Sequence, residues 1–359
     1  MRISVAMATF NGAKYLREQL DSLAKQKYLP LELVICDDRS SDDTLSIIQD
    51  FIKSAPFAVR VYENESNLGF ANNFLKCASL CSGEWIAFCD QDDFWIDEKL
   101  AIVRNTISRS SDKLVLVYHV AELVDKDLKP VGIKLPKIER ERVVAIAGNS
   151  GFWFVGGCVM CFKATLIKDV DSQLRPRDNY QFNEGWDAGK FPWMPHDKWI
   201  CMLGNISGEV AAIPQILSLY RRHDYALTGA HANIAAATRI QKHLLTNFEA
   251  YKFLSKFSSE TADALIKISG GIKSNEQQKF LIEGARKYMN ISYIFNLRAE
   301  LYESKSFFVR FSRFGKLMLT KAYWGEEFCP LNVYSFIKDF LFVVGLVSVG
   351  KFFLKRRSA

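Results

Sequence analysis

The 359-residue chain lacks any apolar run long enough to cross a bilayer. Its nearest approach, Phe340 to Gly350, falls well short of the ~20 residues a spanning helix needs. No secretory leader is read at the start, because Met1-Arg-Ile-Ser-Val-Ala-Met leads into a polar helical stretch and not into a long apolar segment. A disulfide framework is also missing. The eight cysteines, at 36, 77, 81, 89, 158, 161, 201 and 329, are scattered and several lie in apolar, strand-like runs. That usage fits reduced, buried thiols in the cytosol. Cys158 and Cys161 form a C-x-x-C inside GGCVMCF, but no second pair has zinc spacing, so a packed strand is favoured over a metal or redox role. Internal repeats and low-complexity tracts are absent, which excludes solenoids and disordered arrays. Charge of one sign is not strongly in excess. A net +7 suits an anionic partner no better than an ordinary solvated surface, and no nucleic-acid partner is expected.

What is present is a globular composition, 49% hydrophobic and 24% charged, in a chain long enough for one large domain or two. The first 120 residues alternate in type. RISVAMA reads as a strand, and the next stretch places Leu16, Leu20 and Leu23 on one helical face. LELVIC, a helix opening at Ser41–Thr44, AVRVY, the helix GFANNFLKCASL, EWIAFC, a helix from Asp97 and LVLVYH continue the cycle. This alternation predicts an α/β fold: a Rossmann-like, mostly parallel sheet flanked by helices. Residues 176–195 read as a long aromatic-bearing loop, and from about residue 232 the sequence turns helical.

Ligands of such sheets bind outside the carboxyl ends of the strands. Each polar cluster lies at one of those ends: Thr9-Phe10-Asn11, Asp37-Asp38, Asn64 to Asn67, and Asp90-Gln91-Asp92. The last belongs to CDQDDFW, three carboxylates in four residues behind an apolar run. Neighbouring carboxylates raise one another's pKa unless a cation sits between them. Hard oxygen ligands suit Mg²⁺ or Mn²⁺, whose shell waters and substrate phosphates complete. A plain capped turn ahead of the helix from Asp97 would also produce such a pattern.

The stretches MATFNGAKYLREQLDSLAKQKYLPLELVICDDRSSDDT, NLGFANNF and FCDQDDFW, followed by GGCVMCFKATL, PHDKW and YRRH, resemble in order and spacing the family 2 glycosyltransferases. DQDDFW resembles the branch that includes many bacterial rhamnosyltransferases. The resemblance covers roughly residues 1–229. It implies a GT-A type fold, a nucleotide-sugar donor, a divalent metal (Mg²⁺ or Mn²⁺) and inversion at the anomeric carbon. It implies that Ala8, Thr9, Phe10, Asn11, Asp38, Asn73 and Asp90 bind the nucleotide sugar, that Asp90, Asp92 and His223 hold the metal, and that Asp197 of PHDKW is the catalytic base. Read alone, Asp197 equally suits a surface acid or a cap of the following helix. The chain departs from the family at Arg39, where a small turn residue is usual, and at Ala226 and Leu227, which replace a polar residue after YRRH. Gly156-Gly157 is read as permitting a close backbone approach.

The resemblance divides the chain into a glycosyltransferase domain, 1–230, and a helical C-terminal region, 231–359. Within the first, 1–120 forms the nucleotide-sugar half and 121–230 the acceptor half. Trp95, Trp186, Trp193 and Trp199 are candidate acceptor contacts, and residues 180–195 a lid, with Gly185 and Gly189 as hinges. The implied reaction transfers a sugar, L-rhamnose from dTDP-rhamnose or a hexose from a UDP-sugar, to a polysaccharide or lipid-linked oligosaccharide of a cell-surface polymer such as O-antigen or capsule. A nucleotidyltransferase would require an early Gly-rich phosphate loop with Arg, which ATFNGAKY does not supply. An inactive scaffold of polysaccharide assembly is the reading from another class, and the presence of Asp92 and Asp197 argues against it. Lys351, Lys355, Arg356 and Arg357 would place the C-terminal segment, Phe340 to Arg357, on an anionic membrane surface, here the cytoplasmic face of the inner membrane. A helix packed on its own domain is the competing expectation for that segment.

Overall fold

The computed structural model describes residues 1–168, 170–177, 193–223, 248–324, 328 and 331–346. The predicted alternation is present: β1 (Ile3–Thr9), α1 (Ala13–Ala24), β2 (Glu32–Asp37), α2 (Thr44–Ile52), β3 (Ala58–Glu63), α3 (Phe70–Leu80), β4 (Trp85–Asp90), β5 (Phe94–Trp95), α4 (Lys99–Arg109) and β6 (Leu114–Val124). Leu16, Leu20 and Leu23 are fully buried, as their spacing requires. All six residues of β2 are buried, the signature of a strand covered on both faces.

The sheet order is β3-β2-β1-β4-β9-β6-β10-β5, where β9 is Met160–Lys163 and β10 is Glu209–Arg221. From β3 to β4 every pair is parallel. The sheet keeps the expected mostly parallel character, with β10 running parallel to β6, but beyond β4 antiparallel strands also enter it. β9 enters antiparallel to both β4 and β6, and the C-x-x-C lies at this strand with both thiols buried. Two further strands, β7 (Pro130–Leu135) and β8 (Arg142–Val144), pair antiparallel on β6 and β10. β6 runs straight through residues 120 and 121, so the sheet is continuous across the expected boundary between its two halves.

One face of the sheet buries α1, α2 and α4 through Leu20, Ile48 and Val103. The other packs on α3 and α6 (His196–Ser207), with α5 (Thr165–Lys168) beside them. Helices α7 (Phe248–Gly271) and α8 (Asn275–Glu303) extend this second core through Phe257, Leu265, Tyr288 and Phe295. A Cβ on Gly284 would stand 3.1 Å from Ile206, so α8 approaches α6 closely where it lacks a side chain. Two more helices, α9 (Phe307–Leu319) and α10 (Val333–Val343), follow. Among the described residues no helix is long and apolar enough to cross a membrane. The expected domain boundary near 230 and the basic end of the C-terminal segment lie outside the described residues.

Candidate active site

The parallel strands end level with one another: Ala8 is paired with Cys36 and Asp90, Thr9 with Asp37, and Asp37 with Glu63. Asp37, fully buried, accepts from the Thr9 hydroxyl at 2.8 Å and from the Ser40 hydroxyl and amide at 2.6 and 2.8 Å. Asp38 Oδ1 accepts from Asn64 and from the Leu68 amide, each at 2.7 Å, and Oδ2 accepts from the Gly69 amide at 2.9 Å. A carboxylate offers about four acceptor positions, so these three donors leave roughly one for a nucleotide base. Asn73 is a correction. It is 1% exposed, donates to the Cys36 carbonyl at 2.8 Å and accepts from Asn64 at 2.9 Å. One turn into α3 it faces the sheet, so it braces the loop instead of meeting a ligand.

Phe10, by contrast, is 48% exposed. Its backbone N–H and C=O are clamped by the side-chain amide of Gln91 at 2.9 and 3.0 Å. The clamp requires Gly12, where a Cβ would lie 2.2 Å from Gln91 Oε1. Asn11 (φ 46°) and Arg39 (φ 69°) both adopt the left-handed region. Asn tolerates it. At Arg39 it carries a strain of order 1 kcal/mol, which is why a small residue suits that turn.

After β4 the chain turns through Gln91 to Asp93 and re-enters the sheet as β5, antiparallel to β10 at Ser218 and Leu219. That pairing returns the end of β10 over the turn. Buried Arg221 donates its amide to Asp93 Oδ1 at 3.1 Å, Nε to the Asp92 carbonyl at 2.8 Å and Nη1 to the Lys126 carbonyl at 2.6 Å. Its guanidinium pairs with Glu18 and lies 4.4 Å over the Tyr15 ring. His223 follows, with Nε2 2.8 Å from Asp92 Oδ2 and its ring 4.8 Å from Tyr15.

Asp90 carries the electrostatic tension of the site. Burial first, then the Asp92 and Asp197 carboxylates, push it up to about 7. Asp197 acts on Asp90 through space from the first turn of α6, where its Oδ1 accepts the Lys198 amide at 2.7 Å. The N-cap itself is Pro195, so Asp197 serves as a first-turn acid and not as the cap. Asp93 is fully buried, and burial with Asp90 and Asp92 raises it well above the carboxylate range. Its Oδ2 has no hydrogen-bond partner among the described residues. Behind it the Lys99 ammonium donates to the Cys158 carbonyl and the Ser218 hydroxyl, each at 2.9 Å, and stands 3.5 Å over Trp95.

Crowded carboxylates with one orphaned oxygen fit a divalent cation. Ligand atoms of Asp90, Asp93 and Cys158 lie within 4.8 Å of one another, a set that differs from the expected Asp90, Asp92 and His223. The thiol is soft and the Lys99 ammonium adjoins Cys158, so a hard ion is better served on the oxygen side, towards Asp92.

His196, just before Asp197, is 6% exposed, stacks on Phe74 at 4.3 Å and meets Phe88 edge-on at 4.9 Å. Burial, then Arg175, pushes it down to about 3, so it is a neutral ring that anchors the start of α6. A Cβ on Gly157 would stand 2.8 Å from its Nε2, the close approach expected of that glycine. Of the four tryptophans, Trp95 and Trp199 are 0% exposed and belong to the two cores. They offer no face to a sugar, which corrects their assignment as acceptor contacts. Trp193 is 39% exposed with the Arg177 guanidinium 5.2 Å over its ring. Trp186 and the expected hinges Gly185 and Gly189 lie outside the described residues. Sequence reasoning missed Gln91, Lys99 and Arg221 as positioning groups. Gln91 is legible only as part of DQDD, and Arg221 only as part of YRRH.

Comparison with known proteins fits this geometry. The model of the glycosyl transferase family 2 matches residues 4–168. An uncharacterized protein of Mycobacterium tuberculosis is 25% identical over 63% of this chain and 60% of its own length. The chain thus spans about 60% of the length of that relative. The dTDP-rhamnosyl transferase RfbG of Shigella flexneri is 34% identical over 33% of this chain and 45% of its own. Among solved structures, TarS residues 1–349 of S. aureus in complex with UDP-GlcNAc superposes with a TM-score of 0.51 at 17% identity, covering 90% of this chain and 93% of that one. Residues 4–168 thus match the glycosyl transferase family 2, within a mixed α/β fold that the chain shares with TarS.

Proposed function

We propose that the protein is an inverting glycosyltransferase that moves L-rhamnose from dTDP-rhamnose to a hydroxyl of a polysaccharide or lipid-linked oligosaccharide in cell-surface polymer synthesis. The observation that carries this reading is the crowding of Asp90 and Asp92 at the carboxyl end of β4, with Asp197 acting on Asp90 from the first turn of α6. The name of the Shigella flexneri relative supports the choice of donor. The exposed ring of Phe10 and the remaining acceptor position on Asp38 would receive the nucleoside, with Gln91 holding the Phe10 backbone in place. Asp90, Asp92 and His223 would hold Mg²⁺ or Mn²⁺, whose chemistry when bound is neutralisation of the charge on the departing diphosphate. Arg221 keeps Asp92 and Asp93 in register for that task. Asp197 takes the proton of the acceptor hydroxyl as it attacks from the opposite face of the sugar. One in-line displacement then inverts the anomeric carbon. Trp193, 39% exposed, would offer its ring to the acceptor. Such an acceptor would be met on the cytoplasmic face of the inner membrane.

A UDP-hexose donor is the second reading, favoured by the likeness of fold to a protein solved with UDP-GlcNAc. Purified full-length protein incubated with dTDP-rhamnose, UDP-glucose and UDP-GlcNAc, with Mn²⁺ or a chelator, separates the two. Fastest metal-dependent hydrolysis of dTDP-rhamnose is expected. Preference for a UDP-sugar selects the second reading, and turnover of no donor leaves an inactive scaffold.

A further inference from the structure

Half of the large apolar side chains exposed among the described residues lie between Phe307 and Leu346. Helix α9 turns Phe314 and Leu317 inward, to 9% and 0% exposure. On its opposite side Phe308 (82%), Phe311 (62%) and Leu319 (85%) are open to solvent. Spacings of three and eight residues put these three on one line of a helix. A Cβ at Gly315, on the same line, would meet nothing within 4 Å. Trp324 and Tyr334, on the approach to α10 and in its first turn, are 52% and 78% exposed. Exposed large apolar side chains gathered in one region of the fold mark an interaction site.

Charge identifies the partner. From Lys305 to Lys321 the sequence contains five basic residues and no acidic one. Two point inward: Arg313 pairs with Glu300, and Arg310 lies 4.6 Å over the Phe342 ring. Lys305 just before the helix, Lys316 within it and Lys321 just after it are all exposed. Aromatic rings and aliphatic tips flanked by ammonium groups match the headgroup region of an anionic bilayer. A second copy of the chain fits less well, since a two-fold interface would set lysine rim against lysine rim.

We propose that α9 is an interfacial helix that docks the protein on the surface of an anionic phospholipid bilayer, with Phe308, Phe311 and Leu319 among the headgroups and the lysines on lipid phosphate. This moves the docking element from the Phe340–Arg357 segment read in the sequence to an earlier helix, and it holds whichever sugar is transferred.

Co-sedimentation of the full chain with phosphatidylcholine vesicles, with and without phosphatidylglycerol, tests the proposal without any donor or acceptor. Binding is expected only to vesicles containing phosphatidylglycerol, and it should weaken with salt. Phe308→Ser/Phe311→Ser and Lys305→Glu/Lys316→Glu/Lys321→Glu should each weaken binding roughly tenfold or more, with far-UV circular dichroism unchanged because all five side chains are exposed. Failure of the wild-type chain to sediment with either vesicle overturns the proposal. So does wild-type binding by the serine variant, including the case in which deletion of 347–359 alone abolishes it. An oligomer dissolved by the serine variant, with no vesicle binding, would instead assign the face to a second copy.

Discussion

Two buried aspartates show how differently one side chain can be used in the same molecule. Asp339, in α10, is fully buried and every lone pair has a donor: Arg298 binds it in bidentate fashion at 2.8 Å twice, and the hydroxyls of Tyr302 and Tyr323 add bonds at 2.7 and 2.8 Å. Asp93, behind the DQDD turn, is equally buried, yet one oxygen has no partner among the described residues and its neighbours Asp90 and Asp92 carry the same charge. A satisfied carboxylate locks helices together. A dissatisfied group of carboxylates is costly without a counter-charge, and that cost marks a candidate binding site. The difference lies in the partners that each fold region brings up, since the two side chains are chemically identical.

The sharpest break in the comparison is expected at the dissatisfied site. Asp197→Asn should lower turnover roughly 10²-fold or more with donor affinity nearly unchanged, and Asp92→Ala should abolish metal-dependent transfer in a folded protein. Wild-type turnover in either variant removes that residue from the mechanism. At the satisfied site the effect should fall on stability. Arg298→Met leaves Asp339 buried without its counter-charge and should lower the unfolding free energy by about 3–5 kcal/mol, with the activity of the folded fraction unchanged. Denaturant titration alongside the transfer assay separates these outcomes.

The pH response should distinguish the two sites as well. Asp90 is pushed up to about 7, against roughly 3.9 for an unperturbed aspartate. Between these values the folded, metal-free protein retains a proton that the unfolded chain has lost. Its contribution to stability is therefore complete below about pH 4 and is lost as pH rises through about 7. Asp93, raised in the same direction, adds the same sign. The melting temperature without metal should fall across this window, while saturating Mn²⁺, which needs deprotonated carboxylates, should reverse the trend. An Asp90→Asn protein that kept the full slope would show that the proton resides elsewhere. The smallest effect is expected at Gln91→Ala. Losing two hydrogen bonds to the Phe10 backbone should raise the donor KM about fivefold and leave kcat near its starting value. A fall in kcat alone would show that the clamp acts on chemistry and not on binding.

Much of the nucleotide-sugar half is legible in the order of its residues. The strands from β1 to β4, the helices between them and the polar clusters at their carboxyl ends follow from alternation of type, because burial repeats with the period of each element. Asp90 and Asp92 stand out by their place at the end of β4, whereas His223 is named only through the family resemblance of YRRH. Other features are out of reach of local pattern. The sequence places Asn73 beside the loop but does not say that its amide turns towards Cys36. Trp95 and Trp199 carry rings suited to a sugar, and only the packing of both cores shows them sealed. The insertion of β9 between β4 and β6, which makes the sheet mixed, depends on a return of the chain that no run of neighbours encodes.

The sequence by itself determined the alternating strands and helices of its first 120 residues and the residue types gathered at the strand ends, since propensity and periodicity act over a few neighbours. Only the tertiary structure decided which carboxylates are satisfied and which are not. The partners of Asp93, Asp90 and Asp339 come from Arg221, Asp197 and Arg298, all distant in the chain or on other helices. Hydrogen bonding and desolvation act through space at a few ångströms, so they are settled by the packing of the whole chain.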